Sequence, residues 1–222
     1  MEKVAAILLM AGFSTRFSGP KNKQLCLLKG KPVFRYSIEA FVNTKIVSEL
    51  IIVTNKFDKD EITKFVQKKK IDATIILGGK TRQESVSRGL KALKLKKDDI
   101  VIVHDGARPL VTKKDIIEVV KSAKKFGAAT TYVESTDTVA INKKDEITSF
   151  VDRETIALIQ TPQAFRYETL LKAHNKAKNN KATDDCSLIL ASKGKVKLVY
   201  GGHRLHKITT KEDIKYLEGF IK

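Results

Sequence analysis

The sequence predicts an α/β fold in which a mostly parallel sheet is covered by helices on both faces. Short apolar, β-branched runs alternate with amphipathic stretches along most of the 222 residues. Such alternation is typical of parallel strands joined by crossover helices. A later pair of strand-like runs is separated by a polar turn, which adds a hairpin. The length predicts a single domain over residues 1–222.

Five runs are predicted to be strands because they are apolar and β-branched through their centres: Val4 to Met10, Leu50 to Thr54, Thr74 to Leu77, Ile100 to His104 and Ala128 to Val133. Four stretches carry apolar residues at three- and four-residue spacing and are predicted to be helices: Pro32 to Phe41, Asp60 to Lys69, Gln83 to Leu93 and Thr112 to Phe126. Thr112 followed by Asp115 indicates a capped helix start.

Between Ser135 and Gln160 the pattern changes to two strand-like runs, Thr138 to Asn142 and Glu146 to Val151, around a polar turn. We predict a hairpin at about 135–160. It either forms an edge of the main sheet or projects as an arm toward a partner subunit. The rest of the chain predicts further helices and one strand: helices Tyr167 to Lys178, Thr183 to Ala191 and Thr210 to Ile221, and strand Lys195 to Tyr200.

Composition limits the class of protein. The only N-terminal apolar run, Val4 to Met10, is too short for a membrane span and lacks the flanks of a secretory signal. Cys26 and Cys186 are the two cysteines, and without CxxC spacing they indicate reduced structural thiols, so we expect a cytoplasmic location. The net charge of +18 attracts polyanions in general. Nucleic acid is not favoured, since no RNA-binding signature is present and aromatic residues make up only 7%.

Three loops that follow predicted strands carry the unusual residues, and in open α/β sheets ligands bind at this edge. The loop after the first strand, from Met10 to Gln24, combines small residues with cations, as a polyphosphate cradle would. It matches neither the Walker nor the dinucleotide glycine pattern. The second loop, Gly78 to Ser85, joins a strand to a helix. A flexible surface loop and a plain turn with a helix cap are the alternatives for these two segments.

The third loop begins His104-Asp105-Gly106-Ala107-Arg108-Pro109. A carboxylate beside a phosphate cradle suits a nucleotide-bound Mg²⁺, which takes one or two protein carboxylates and substrate phosphates. Asp105 is therefore the metal candidate, and a structural pair between Asp105 and Arg108 is the alternative. His104 is interpreted as a structural group.

With these residues in view, the chain resembles the 2-C-methyl-D-erythritol 4-phosphate cytidylyltransferase family, whose near relatives are the ribitol-5-phosphate cytidylyltransferases. The resemblance covers nearly the whole chain in six ordered blocks: Ala11 to Val33, Gly78 to Leu90, His104 to Pro109, Val151 to Phe165, Thr183 to Ser187 and Lys207 to Asp213. It implies a Rossmann-like nucleotidyltransferase sheet with a projecting β-hairpin arm. It also implies transfer of a cytidylyl group from CTP to a small polyol phosphate.

The resemblance further implies roles for particular residues. The residues implied for catalysis by charge neutralisation are Arg16, Lys23, Lys207 and Arg153. Those implied for the cytosine and ribose are Ala11, Gly12, Gly78, Gly79, Arg82 and Ser85. Those implied for the acceptor phosphate are Arg108, Thr138, Arg153, Thr161, Thr183 and Lys207, and Asp105 would hold Mg²⁺. In the family the arm exchanges between subunits, so a homodimer is implied.

Several positions depart from the family pattern. Met10 and Gly106 stand where alanine is usual, Ser14 replaces a glycine, Asn22 replaces a proline, and Leu205-His206 replaces an Asn-Ile pair. None removes a charged residue that the transfer needs. Three alternative functions stay open at this point: a pentitol phosphate such as ribitol phosphate as acceptor, a uridylyl or adenylyl transferase, and an inactive basic module that binds nucleic acid.

Overall fold

A computed structural model of the protein describes residues 2–12, 22–177, 179 and 182–221. Its strands are β1 (Val4–Met10), β2 (Leu27–Leu28), β3 (Lys31–Pro32), β4 (Glu49–Thr54), β5 (Thr74–Leu77), β6 (Ile100–Asp105), β7 (Ala128–Glu134), β8 (Val139–Lys143), β9 (Glu146–Val151), β10 (Ala157–Arg166) and β11 (Lys197–Tyr200). Its α-helices are α1 (Val33–Asn43), α2 (Lys59–Lys68), α3 (Arg82–Ala92), α4 (Lys113–Phe126), α5 (Tyr167–Lys176), α6 (Asp185–Ala191) and α7 (Glu212–Glu218).

The main sheet has seven strands in the order β11-β7-β10-β6-β1-β4-β5. Every neighbouring pair is parallel except the two that β10 makes with β6 and β7. The mostly parallel sheet predicted from the sequence is therefore confirmed. Leu9 of β1 pairs with Asp105 of β6, so the loops after β1 and β6 leave the sheet side by side.

Helices cover both faces of this sheet, as predicted. Side chains of β1 alternate between two apolar cores: Ala6 and Leu8 pack on the face with α1, α2 and α4, while Ile7 and Leu9 pack on the face with α3, α5 and α6. All seven residues of β1 are buried. Because each fully buried aliphatic side chain contributes about 1.5–3 kcal/mol, this double-sided strand fixes the centre of the sheet.

The capped helix start was predicted well, whereas the last helix was predicted too long. Thr112 accepts a hydrogen bond from the Asp115 backbone N–H, and the Asp115 carboxylate accepts one from the Thr112 N–H, which completes a capping box at α4. Helix α7 begins at Glu212 and not at Thr210, because the Asp213 carboxylate binds the Thr209 and Thr210 backbone N–H groups in a turn before the helix.

Strand β10 was not predicted as a strand. Its middle reads Gln160-Thr161-Pro162-Gln163, and polar residues around a proline are typical of a loop. In the structure this segment lies between β6 and β7, with a register shift between Ile159 and Gln163 and a cis Thr161–Pro162 peptide bond. Polar side chains are thereby brought into the interior beside the end of β6.

The predicted hairpin is present as β8 and β9, which form a two-stranded sheet of their own. This excludes the alternative that the hairpin is an edge of the main sheet. It carries exposed apolar side chains, with Ile147 65% and Phe150 69% exposed. In the described part of the chain, no helix combines the length and apolar character needed to cross a membrane.

Candidate functional site

Two adjoining pockets lie at the carboxyl ends of β1 and β6 and beside the amino-terminal half of β10, which runs antiparallel to β6. The first is lined by Leu9, Ala11, Gly12, Lys23, Gln24, Gly79, Lys80, Thr81, Arg82, Ser85, Asp105, Ala107 and Lys207. The second is lined by Arg82, Asp105, Arg108, Thr130, Ile159, Gln160, Thr161, Thr183, Asp184, Cys186, Ser187, Leu190, Val196, Leu198 and Lys207. Arg82, Asp105 and Lys207 line both, so three charged side chains mark the boundary.

Most of the residues that the family resemblance singled out lie in these pockets. Ala11, Gly12, Lys23, Gly79 and Ser85 line the first. Arg108, Thr161 and Thr183 line the second. Arg16 lies outside the described residues.

The other predicted residues lie elsewhere. Gly78 packs against two residues that line the first pocket. A Cβ at this position would collide with Ala11 Cβ and lie 2.8 Å from Ser85 Oγ, so glycine is required there. Thr138 and Arg153 belong to the arm and are not among the residues lining either pocket. The Arg153 Nη1 donates to the Thr136 carbonyl at 3.3 Å within the arm.

Asp105 is held between two cations. Arg82 Nε donates to Asp105 Oδ1 at 3.2 Å, and Lys207 Nζ donates to Oδ2 at 2.5 Å. The Asp105 side chain is only 9% exposed. The structural pair with Arg108 that the sequence allowed is not the arrangement found, since the carboxylate is bound by Arg82 and Lys207.

These contacts determine the charge state of the site. Burial by itself would raise the pKa of Asp105, but the charges of Arg82, Lys207 and Arg108 outweigh it and hold that pKa well below its usual value. Burial likewise opposes the charge of Arg82, while Asp185 and Asp105 raise its pKa above the usual value. Asp105 is therefore ionised at neutral pH and Arg82 is charged.

Two acidic residues of the Thr183-Asp184-Asp185 segment belong to the site, although the sequence analysis gave them no role. Arg82 Nη1 donates to Asp185 Oδ2 at 2.6 Å, and His174 Nε2 lies 2.8 Å from Asp185 Oδ1. Asp184 accepts from Gln163 Nε2 at 2.5 Å. Two adjacent acidic residues at the start of a helix are a sequence pattern that could have indicated a functional site. A single histidine in the amphipathic helix α5 is not such a pattern.

Arg108 presents its charge to the second pocket. Its Nη1 donates to the Leu205 carbonyl at 2.6 Å. Within the described residues, its buried Nε and the buried Nη2 of Arg82 have no hydrogen-bond partner. Buried donors on charged groups are costly when unpaired, so both are suited to an anionic ligand oxygen.

His104 has the structural role that the sequence predicted. Its Nε2 donates to the Arg108 carbonyl at 3.2 Å, and burial lowers its pKa to about 4, so the ring is neutral with its proton on Nε2. Nδ1 is then an acceptor, and the Thr161 hydroxyl donates to it at 3.1 Å. The same hydroxyl accepts a hydrogen bond from the Asp105 backbone N–H at 3.0 Å, so Thr161 fixes the backbone of Asp105.

The segment around Gly79 is fixed by local hydrogen bonds. The Gly79 N–H donates to Ser85 Oγ at 3.1 Å, and that hydroxyl donates to the Thr81 carbonyl at 2.9 Å. Thr81 caps α3 by accepting from the Glu84 N–H. The helix N-terminus and the pocket rim are consequently one rigid unit.

Two departures from the family pattern compensate one another. A Cβ on Gly106 would lie 2.7 Å from Cγ of Met10, which is fully buried. The larger side chain at position 10 therefore requires glycine at position 106. A third departure, Leu205, is fully buried and contacts Arg108 through its carbonyl, which any residue provides.

Asp105 can serve as a metal ligand only if substrate oxygens complete the coordination of the ion. Among the described residues no group of three or more His, Cys, Asp or Glu side chains converges on one point. Mg²⁺ is commonly bound by one or two carboxylates with substrate phosphates completing the shell, so a single ionised carboxylate beside several cations meets that requirement.

Comparisons with known proteins agree over nearly the whole chain. A family model described as 2-C-methyl-D-erythritol 4-phosphate cytidylyltransferase matches residues 4–222. Relatives of that name from Clostridium acetobutylicum and Caldanaerobacter subterraneus are 38% and 39% identical, over 98% and 99% of this chain and 96% and 99% of theirs. The crystal structure of 4-diphosphocytidyl-2C-methyl-D-erythritol synthase from Anaerococcus prevotii superposes with a TM-score of 0.87 at 28% identity, covering 99% of this chain and 96% of that one.

Proposed function

Since the chain belongs to the 2-C-methyl-D-erythritol 4-phosphate cytidylyltransferase family, we propose that its two joined pockets divide the substrates of cytidylyl transfer between them. The enzyme joins CTP to 2-C-methyl-D-erythritol 4-phosphate in isoprenoid biosynthesis and releases pyrophosphate. The observation that carries the division is that Arg82, Asp105 and Lys207 line both pockets. The reacting phosphates meet at that boundary.

The first pocket holds CTP. The backbone of Ala11 and Gly12, with Gly79 and Ser85, frames the cytosine and ribose. Lys23 and Arg16 bind the triphosphate, and Gly78 keeps the space behind the base open. Arg82 reaches this pocket from the first turn of α3.

The chemistry requires two anions to meet. An oxygen of the acceptor phosphate forms a bond to the α-phosphorus of CTP, and the bond from that phosphorus to the oxygen bridging to the β-phosphate breaks. The electron pair leaves with pyrophosphate. No covalent enzyme intermediate is needed, so positioning and charge neutralisation supply the rate enhancement. Lys207 stands at the boundary to bridge the reacting phosphates.

Asp105 is the residue that would hold Mg²⁺, and the ion would neutralise charge on the triphosphate. Lys207 and Arg82 balance the charge of this carboxylate. The protein's own cations thus position Asp105.

The second pocket holds the acceptor. Arg108, Thr183 and Lys207 bind its phosphate and hydroxyl groups, with Thr161 fixing the floor. Thr138 and Arg153 complete this pocket from the arm of a partner subunit, so the working enzyme is a homodimer. Neither Cys26 nor Cys186 is part of a disulfide bond, which agrees with a reducing, cytoplasmic location.

An acceptor panel tests this assignment. The enzyme is incubated with CTP and Mg²⁺ and either methylerythritol phosphate or ribitol 5-phosphate, and pyrophosphate release is measured. We expect methylerythritol phosphate to give the higher kcat/KM. Preference for ribitol phosphate would transfer the assignment to the pentitol enzymes, and release with UTP or ATP but not CTP would reject the nucleotide assignment.

A further inference from the structure

A buried chain of hydrogen bonds runs from helix α5 into the boundary between the pockets. His174 lies 2.8 Å from Asp185 Oδ1, and Arg82 donates to Asp185 Oδ2 at 2.6 Å. Arg82 Nε then donates to Asp105 Oδ1 at 3.2 Å. Because Asp185 is an acceptor, His174 Nε2 carries the proton in this contact.

Two members of this hydrogen-bond series, His174 and Asp185, do not line either pocket. The side chains of His174 and Asp185 are 3% and 1% exposed, and neither residue lines the pockets. Arg82 lines both and is 19% exposed. The hydrogen-bonded route from His174 to the pockets therefore runs through Asp185 to Arg82.

We propose that His174 and Asp185 are positioning residues, which orient the Arg82 guanidinium so that Nε faces Asp105 and Nη2 is left to donate to a phosphate oxygen at the pocket boundary. This rests on the proposed function only for naming the ligand as a phosphate. Within the described residues, Arg82 Nη2 is buried and has no hydrogen-bond partner. A buried donor without a protein partner is what we expect of a group that binds a ligand.

The two carboxylate oxygens of Asp185 have different partners. Oδ2 accepts from Arg82, and Oδ1 lies 2.8 Å from His174 Nε2. His174 is therefore the second donor to this buried carboxylate. Without its N–H, Asp185 Oδ1 would be a buried acceptor lacking this bond, and the carboxylate would be free to rotate away from Arg82.

The competing explanation is that the hydrogen bond of His174 to Asp185 only stabilises the packing of α5 against the start of α6. Such a tie would contribute to folding and leave the kinetics of the folded enzyme unchanged. Two substitutions separate the explanations. H174L keeps the apolar bulk and removes the donor, whereas H174Q places an amide N–H near the position of Nε2. V120A, in the core of α4 on the opposite face of the sheet, is the control for a plain loss of stability.

The direct readout is the NMR signal of the Arg82 Nε–H, assigned by its disappearance in R82K. In the wild-type enzyme we expect slow exchange of this proton with water, in H174L exchange about tenfold faster or more, and in H174Q and V120A rates close to wild type. In parallel, kcat/KM should fall about tenfold to a hundredfold in H174L, the range found when the outer hydrogen-bond partner of a metal ligand is lost, and recover in H174Q.

A double-substitution cycle tests the route. If His174 acts through Asp185, H174L should add little to the loss already caused by D185N. Full additivity, wild-type kinetics in H174L, or unchanged Nε–H exchange in H174L would each overturn the proposal. The exchange measurement needs no turnover, so its result is independent of the acceptor panel that tests the proposed function.

Discussion

The centre of the site and the β-hairpin arm are built in opposite ways. Asp105 is 9% exposed and bound by Arg82 and Lys207 of its own chain. Arg153 lies in an exposed hairpin whose Phe150 is 69% exposed. The centre is therefore organised by contacts within one chain, whereas the arm presents a cation and an exposed apolar surface away from both pockets. Damage to the centre should change both stability and catalysis, and damage to the arm should change catalysis alone.

The largest effect is expected from D105N. Removing the charge leaves Arg82 and Lys207 near each other without their shared counterion, and breaking a buried pair costs about 3–5 kcal/mol. Loss of the electrostatic group should also lower kcat by a factor on the order of 10² to 10³. Pyrophosphate release and thermal unfolding measure the two effects. A variant with wild-type kcat would show that Asp105 is not at the reacting centre.

The matching change in the arm is R153A. We expect kcat/KM for the acceptor to fall about tenfold to a hundredfold, because a hydrogen bond to a charged group contributes about 1.5–3 kcal/mol. The melting temperature should stay at the wild-type value, since the Arg153 side chain makes a surface contact to the Thr136 carbonyl. Lys144 in the hairpin turn is exposed and provides a matched control, K144A, with no expected change. Equal loss in both variants would mean that general charge and not Arg153 matters.

A smaller effect, on stability alone, is expected from G106A. The new methyl group would press on Met10, and overpacking of this kind costs about 1–3 kcal/mol. In M10A the space is open, so G106A should cost much less in that background. Denaturant unfolding of the four proteins in this cycle gives the coupling. Additive costs would show that positions 10 and 106 do not compensate each other.

The most gradual effect is a pH dependence of stability, spread over several pH units, that belongs to the centre and not to the arm. Burial lowers the pKa of His104 from 6.5 to about 4. Between these values the unfolded chain binds a proton that the folded chain does not, so His104 makes stability fall as the pH falls from 6.5 to 4.

The slope from His104 approaches about 1.4 kcal/mol per pH unit in that window. Unfolding free energies of wild type and H104Q at several pH values measure it as the difference between the two slopes. R153A should keep the wild-type slope. Parallel slopes in wild type and H104Q would contradict a buried neutral imidazole.

The contrast between regions also explains which parts of the fold could be predicted from sequence. Strand β1 is buried on both faces, so it had to be continuously apolar, and its predicted limits are those of the structure. Strand β10 carries buried Gln160, Thr161 and Gln163, and the first two of these line the second pocket. Its function imposed a composition that resembles a loop.

The site divides in the same way. Asp105 ends strand β6 and Gly79 follows strand β5, and the rule that ligands bind at this edge of the sheet predicts from sequence alone that they lie together. The roles of Asp185 and His174 were not predicted, because they depend on hydrogen bonds that join helices α5, α6 and α3. The periodicity of a sequence does not reveal such tertiary contacts. The roles of the arm residues came from family resemblance alone, and the chain by itself does not bring them to the pockets.

Mixing two defective proteins tests most directly whether the centre comes from one chain and the arm from another. R153A and K207A are each purified, mixed in equal amounts, and allowed to exchange subunits. If arms cross, half of the dimers are mixed, and each mixed dimer has one site with both Arg153 and Lys207 intact, so activity should rise to about a quarter of wild type. Activity that stays at the mean of the two parents would contradict the account, because each arm would then serve its own chain.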